Sequence, residues 1–317
     1  LSSFSGVLVF NGLTLPESIM YQWCKLNEIN VATFESGWSI DNQYALEFNY
    51  KPSSQHFFEY TKRNLNGEEN QKVEDYINKK RIGKQKITLN YQNVVSVFGN
   101  VSWDTSQVMA SSLFNSMFEW LEHLVPIINE NTHHLFIFRA HPGENRNIKK
   151  TWFGMEQWYE ENKHRFSNNT ICYGADSNID SYDLISKSKF ILAYNSTIAI
   201  ESAIFGKKAI VAANTHYTKL GFVDFPNSKT ELQQNIQRLI DSDMYELETE
   251  KQDFAKSYYF QLLNDVAYEF GKINTELNFN EHTLIKNYKN EKSAIDSLDN
   301  LLISFVNNKR LEKKFNF

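Results

Sequence analysis

Cysteine is almost absent: Cys24 and Cys172 are the 2 cysteines of 317 residues. Lying far apart, they offer neither a disulfide framework nor a metal-ligand spacing, and they suit a reducing cytoplasm. No apolar stretch approaches the ~20 residues that span a bilayer, and no charged segment precedes an apolar core at the start. Basic residues are outnumbered, 33 Lys and Arg against 38 Asp and Glu, for a net charge of −5. That balance gives no global attraction to nucleic acid, and none is expected as a partner. A Gly-rich cradle is missing, which excludes a P-loop and a dinucleotide fingerprint. Repeats of solenoid period and long low-complexity linkers are missing too. The pair His133-His134 and His216 lack ligand partners at useful spacing, and no Asp-x-Asp stands at a strand end, so no metal is expected.

What is present describes a soluble globular protein. Hydrophobic residues make up 41% of the chain, enough for a core in each of two ordinary domains. Aromatic content is 15%, and large rings supply packing area in a core more often than they line a sugar site. Leu1 is not an initiator Met, and the chain opens on a Ser-rich segment and a strand, as a fragment or one domain of a longer protein would.

Apolar runs and helical periodicities alternate. Strand 6–10, a helix from Pro16 to Asn27 and strand 31–35 make a βαβ start, with Pro16 suited to a first helical turn. Residues 55–84 are charged, with helical spacing and weak apolar periodicity, as in a solvent-facing excursion. Strand 94–98 and a helix over 113–130 follow. The second half reads as strand 135–139, helix 149–163, strand 170–172, helix 181–188, strand 190–194, helix 198–205 and strand 208–213. From 229 onward the pattern is helical and polar, over 231–240, 246–263 and 291–307. The alternation predicts an α/β protein with parallel sheets. Its boundary is expected near 128–132, giving domains 1–130 and 131–317.

Two strand ends carry chemistry. Strand 190–194 runs into Asn195-Ser196-Thr197, whose side-chain oxygens can cap the next helix while its N–H groups favour an anion, and Gly206 suits the left-handed position after that helix. Strand 135–139 ends in Arg139-Ala140-His141-Pro142-Gly143-Glu144. Pro142 stiffens the backbone that holds the His141 imidazole beside Arg139 and Glu144, and such a histidine can donate to a phosphate or move a proton. A His-Pro turn that merely caps a strand is the alternative.

Phe10-Asn11-Gly12, Phe34-Glu35, Asn100-Val101-Ser102-Trp103-Asp104, Arg139-Ala140-His141-Pro142 and Asn195-Ser196-Thr197 with Glu201, taken in order, resemble the capsule-polysaccharide biosynthesis glycosyltransferases, including the bacterial Kdo transferases. The resemblance covers about residues 6–225. It implies a GT-B-like fold, two Rossmann-like domains whose parallel sheets face a central cleft. It also implies a CMP-activated sugar as donor, with His141 at the phosphate, Ser196 and Thr197 binding it at the helix start, and Glu201 reaching ribose or base. Glu201 also reads as a first-turn acid favoured by the helix dipole.

The same resemblance gives the N-terminal domain the acceptor, at Asn11 and Gly12, and the reacting carboxylates, Glu35 and Asp104, at strand ends. Asp104 would act as nucleophile or general base and Glu35 would handle the acceptor proton. Alternatively Asp104 caps a helix and Glu35 is a turn residue. Trp103 reads as packing. The expected donor-site set is Arg139, His141, Pro142, Glu144, Asn195, Ser196, Thr197 and Glu201. The expected activity is metal-independent transfer of Kdo or a related acidic sugar from its CMP form to a bacterial surface glycan or glycolipid. The nucleotide sugar is a substrate and no cofactor is needed. The expected location is the cytoplasm, free or peripheral at the inner membrane face. The rival readings are a UDP-sugar or CDP-polyol transferase of the same fold, and a non-catalytic nucleotide-sugar or glycan-binding domain.

Overall fold

A computed structural model describes residues 6–36, 43–48, 60, 62–107, 110, 112–145, 151–264 and 267–269. The expected helix over 291–307 lies outside them. The chain divides into two units, Leu1–Thr61 with Phe260–Phe317, and Lys62–Tyr259.

The smaller unit begins as its hydrophobic pattern requires, with β1 (Val7–Phe10), α1 (Glu17–Leu26) and β2 (Val31–Ser36). β2 lies parallel to β1, with Val7 level with Val31. Val9, Tyr21, Cys24 and Val31 form the core between helix and sheet. β3 (Gln43–Phe48) and β9 (Ala267–Glu269) then add antiparallel, giving the order β1-β2-β3-β9. The expectation of parallel strands therefore holds for β1 and β2 only. The other two strands were not expected, because a short segment such as 267–269 has too little local pattern to declare itself and is defined by its distant partner.

The larger unit holds α2 (Gly67–Arg81), β4 (Val94–Phe98), α3 (Met117–Glu130), β5 (Leu135–Arg139), α4 (Met155–Asn162), β6 (Thr170–Tyr173), α5 (Ser181–Lys187), β7 (Phe190–Ala193), α6 (Ile198–Ile204), β8 (Ala209–Val211), α7 (Lys229–Asp241) and α8 (Thr249–Asn264) as far as Tyr259. The charged excursion is thus a real helix, and its start is strongly specified. The Asn66 side chain accepts from the Glu69 N–H at 2.9 Å while the Glu69 carboxylate accepts from the Asn66 N–H at 2.9 Å. This reciprocal capping satisfies two donors that an unadorned helix start would leave open.

All five strands of the larger unit are parallel, in the order β6-β5-β4-β7-β8. This pairing moves the boundary expected near residue 130. β4 is hydrogen-bonded on both sides, to β5 and β7, so 62–130 cannot be parted from 131 onward without cutting the sheet through its middle strand. α3, α4 and α7 pack Trp120, Leu124, Trp158 and Ile236 against Val95, Val97, Phe136 and Phe138 on one face. At the other face Ser96 hydrogen-bonds Ser188, just past α5, at 2.6 Å. Strands covered on both faces read as unbroken apolar runs rather than alternating ones, as VVSVF and LFIFR do.

Phe138 sits at the centre of this core, fully buried against the rings of Trp158, Tyr159 and Phe166 at centroid distances of 6.2, 5.2 and 5.6 Å. Phe138→Ala is expected to cost about 3–5 kcal/mol in a urea unfolding curve, since three surrounding rings cannot all collapse into the space.

Candidate functional site

The chain order 4-5-6 runs outward from β4 to one side of the sheet and 7-8 to the other. Helices therefore leave in opposite directions between β4 and β7, which opens a crevice beyond the carboxyl ends of those strands, the usual ligand position in open parallel sheets. Strand register then places the side chains. Phe98 is level with Arg139 on one side and with Ala193 on the other. Asn100, His141 and Asn195 each stand two residues past these level positions, so three polar residues emerge side by side from adjacent strands.

Asn100 and Asn195 close the crevice floor. The Asn100 side-chain N–H donates to the Asn195 side-chain oxygen at 2.7 Å, and Gln107 donates to the same oxygen at 3.0 Å. The Asn195 amide donates to the Ser106 carbonyl at 3.0 Å. Asn195 is buried and its side chain is bound to the loop after β4, so it organises the site and does not cap α6. Thr197, the residue before α6, makes no capping bond, and the Ser196 hydroxyl accepts from the Ile198 N–H only at a long 3.4 Å. The expected side-chain cap is therefore largely absent. Tyr217 instead fixes this turn by donating its hydroxyl to the Ser196 carbonyl at 2.5 Å.

His141 is partly exposed, and its Nδ1 accepts from the Gly143 N–H at 2.9 Å. With Nδ1 accepting, the neutral ring carries its proton on Nε2. Pro142 opens a 3-10 turn over Pro142–Asn145 that makes this contact possible. Arg139 and Glu144, expected beside His141, are both buried where His141 is partly exposed, and the Glu144 N–H donates to the His141 carbonyl at 2.9 Å. The Arg139 guanidinium is buried and donates to the carbonyls of Gly174 and, at 3.1 Å, Ser177. It braces the loop after β6 where a phosphate contact was expected.

Glu144 is 3% exposed, and its carboxylate accepts from the Met155 N–H at 3.2 Å. Burial drives its pKa up to about 7, reinforced by Glu156 and opposed by the hydrogen bonds from the backbone and by Arg139. Gly154 leaves room for the carboxylate in this position, since a Cβ there would lie 2.2 Å from Glu144 Oε2 and displace it. Glu144 therefore ties the His141 turn to the start of α4.

Glu201 is likewise committed inward. It is 3% exposed, pairs with Lys80 of α2 at 2.7 Å and accepts from the Tyr259 hydroxyl. Burial pulls the Lys80 ammonium down, but Glu201 and Tyr76 outweigh it and leave its pKa raised. The expected reach to ribose or base meets a carboxylate already paired across three helices. Lys80 and Tyr259 have no local signal that would single them out, because helical spacing alone does not distinguish an inward lysine from its solvated neighbours. Asn100 had one: its offset from the end of strand 94–98 equals that of His141 from the end of strand 135–139.

Asp104 lies in this same unit, in the loop after β4, and not with Glu35 as expected. It is partly exposed and precedes a 3-10 turn over Thr105–Gln107; its carboxylate accepts from the Ser106 N–H at 3.4 Å and its carbonyl from the Gln107 N–H at 2.9 Å. Trp103 donates to Thr151 at 3.0 Å, in keeping with packing. His216 stands 2.5 Å from the Tyr258 hydroxyl and is kept neutral by burial, with a pKa pulled down to about 3.

In the smaller unit the structure does bring Asn11, Gly12 and Glu35 together. Asn11 is buried at φ 58°, its side-chain oxygen accepts from the Leu13 N–H at 2.9 Å, and its amide donates to the Glu35 carboxylate. Gly12 follows at φ 69°, where a Cβ would lie 3.0 Å from the Thr33 methyl. Two successive left-handed residues make the tight exit from β1. Among the described residues no group of three His, Cys, Asp or Glu side chains is placed to hold a metal ion, and no helix is long and apolar enough to cross a membrane.

Two substitutions test the structural roles of Lys80 and Glu144. Lys80→Met leaves Glu201 buried without its cation and is expected to lower unfolding stability by about 2–3 kcal/mol, discounted because the lysine is one-third exposed. For Glu144 the folded pKa near 7 stands above the unfolded value, so the native state holds the proton between them. The associated stability is complete below about pH 4.5 and is lost as pH rises through 7. Relative to wild type, Glu144→Gln should therefore gain stability across that window, by about 3 kcal/mol at most, as read from urea midpoints at pH 5 and 8.

No protein-family model matches the chain, and no curated protein matches it. Among solved structures, the KpsC β-Kdo 2,4-transferase of Thermosulfurimonas dismutans superposes with a TM-score of 0.54 at 14% identity, over 80% of this chain and 79% of that one. The KpsC β-Kdo 2,7-transferase of the same organism gives 0.43 at 14% identity, over 81% and 77%. A UDP-GlcNAc 2-epimerase from Neisseria meningitidis bound to UDP-GlcNAc gives 0.40 at 12%, over 82% and 76%. At 14% identity the first of these is a likeness of fold, and functions are not carried by folds. The chain has the α/β, GT-B-like fold of the KpsC β-Kdo 2,4-transferase.

Proposed function

We propose that this chain is a metal-independent glycosyltransferase that moves an acidic sugar, Kdo or a close relative, from its CMP-activated form to a bacterial surface glycan or glycolipid. The observation that carries the reading is the alignment of Asn100, His141 and Asn195 beyond the carboxyl ends of three adjacent parallel strands, the position where such sheets take nucleotides. The choice of Kdo is supported by the fold shared with a transferase named for that sugar.

In this reading the nucleoside phosphate lies over β4, β5 and β7. His141, with its proton on Nε2, donates to the phosphate, and the backbone of Ser196 and Thr197 meets it from the other side. Fixed donors of this kind stabilise the charge that grows on the leaving phosphate and need no divalent ion. Asp104 is the reacting carboxylate, as nucleophile or general base. Asn11, Gly12 and Glu35 serve the acceptor, with Glu35 held by Asn11. Arg139, Glu144, Asn195 and Glu201 act by positioning. The proposed location is the cytoplasm, where the nucleotide-sugar substrate is met.

The test is a thermal-shift titration of wild type and His141→Ala with CMP, UDP, CDP and GDP, with and without EDTA. A ligand that binds only the folded state stabilises it by about 2.7 kcal/mol at a hundred times its Kd. The expected result is a CMP-selective shift, unchanged by EDTA and lost in His141→Ala, with Asp104→Ala retaining the shift but not sugar transfer. A UDP- or CDP-selective shift would change the donor, and no shift with any nucleotide would favour a non-catalytic domain.

A further inference from the structure

The one helix of the smaller unit between β1 and β2 is amphipathic in an unusual sense. α1 turns Tyr21 and Cys24 inward, yet its outward surface is apolar as well. Leu15, Ile19, Trp23 and Leu26 are 72%, 63%, 37% and 83% exposed, and Met20 extends the same surface at 41%. At 100° per residue Ile19, Trp23 and Leu26 fall within one quarter of the helix circumference, and Leu15 stands just before the helix, ahead of Pro16. Solvent-facing helix surfaces are ordinarily polar. Gln22, Ser18 and Lys25 flank this stripe, and no acidic residue interrupts it.

We infer that this stripe is an in-plane contact with the interfacial layer of a lipid bilayer. The size of the surface argues for lipid over protein. At ~200 Å² for each fully exposed large side chain the five together offer roughly 600 Å². A stable protein interface takes about 800 Å² from each partner and a complementary shape. A bilayer demands no matched shape, and short helices with Leu, Ile and Trp on one side lie along it by burying that side at the level of the headgroups. Trp23 supplies the ring favoured at that depth, and Lys25 at the margin can extend its ammonium to the headgroups. The three charged residues of this region, Glu17, Lys25 and Glu28, sum to one negative charge, so attraction comes from the apolar stripe and not from anionic lipid. Trp152, 98% exposed, belongs to the other unit and serves as a control.

The deciding experiment is flotation of the full chain with vesicles of neutral phosphatidylcholine, at low salt and at 0.5 M NaCl. Wild type and Trp152→Ala are expected to float with the vesicles at both salt concentrations. The double variant Ile19→Glu with Leu26→Glu is expected to bind at least tenfold more weakly. Both positions are exposed, so its melting temperature should match wild type, and Ile19→Ser with Leu26→Ser repeats the test without new charge. Absence of flotation, or flotation unaffected by either double variant, would overturn the inference. So would occupation of the stripe in solution by a second copy or by residues 291–307. That state shows as an Ile19→Cys thiol, in a Cys172→Ser background, resisting a polar maleimide before vesicles are added. The expected thiol reacts at once without vesicles and is protected by them.

Discussion

The level register of three parallel strands is the constraint on which the larger unit depends. With Phe98 opposite both Arg139 and Ala193, three loops leave the sheet at one height, and the second residues of two of them, Asn100 and Asn195, come within hydrogen-bonding range. The bond from Asn100 to Asn195 is the direct result. A slip of a single residue in β7 would turn Asn195 to the opposite face and dissolve the crevice floor. Burial of both faces of the sheet makes such a slip expensive, because it would carry Phe190 and Leu192 out of the cluster that holds Trp120 and Trp158.

Charge within this unit is used mainly to hold backbone and helices in place. Arg139 spends its guanidinium on loop carbonyls, Glu144 ties the His141 turn to α4, and Glu201 anchors α6 to Lys80 and Tyr259. Each is at most 3% exposed, and a buried charge or its neutral form must be matched by partners wherever water cannot serve. His141 and Asp104 differ: both are partly exposed, and each immediately precedes a short 3-10 turn. Residues of the same polar kind, close in sequence, thus divide into a supporting set and a presenting set according to depth.

Much of this is legible in the sequence. The apolar runs at 94–98 and 135–139 are strands with those bounds, and the βαβ opening, the helices over 17–26, 117–130 and 229–241 and the turn at Asn195 stand close to where periodicity put them. The strand-end location of His141 and the Asn195 turn was equally readable, because Pro and Ser/Thr/Asn punctuation is local chemistry. The domain boundary was not readable. A helix followed by a polar segment near 130 looks like a linker, yet the strand before it pairs with strands that come later in the chain. Nor could local pattern foretell that Arg139, Glu144 and Glu201 turn inward, since a strand-end arginine and a first-turn glutamate look the same whether they face water, a ligand or a distant lysine.

Sequence by itself determined the elements and their order, an α/β alternation with polar turns at two strand ends, because those properties follow from spacing along a few residues. Tertiary structure alone decided which strands are neighbours, where one unit gives way to the next, and which polar side chains are spent on the fold. Those outcomes depend on pairings such as Lys80 with Glu201 and Gln43 with Glu269, more than a hundred residues apart, where the free energy is set by desolvation and register and not by local propensity.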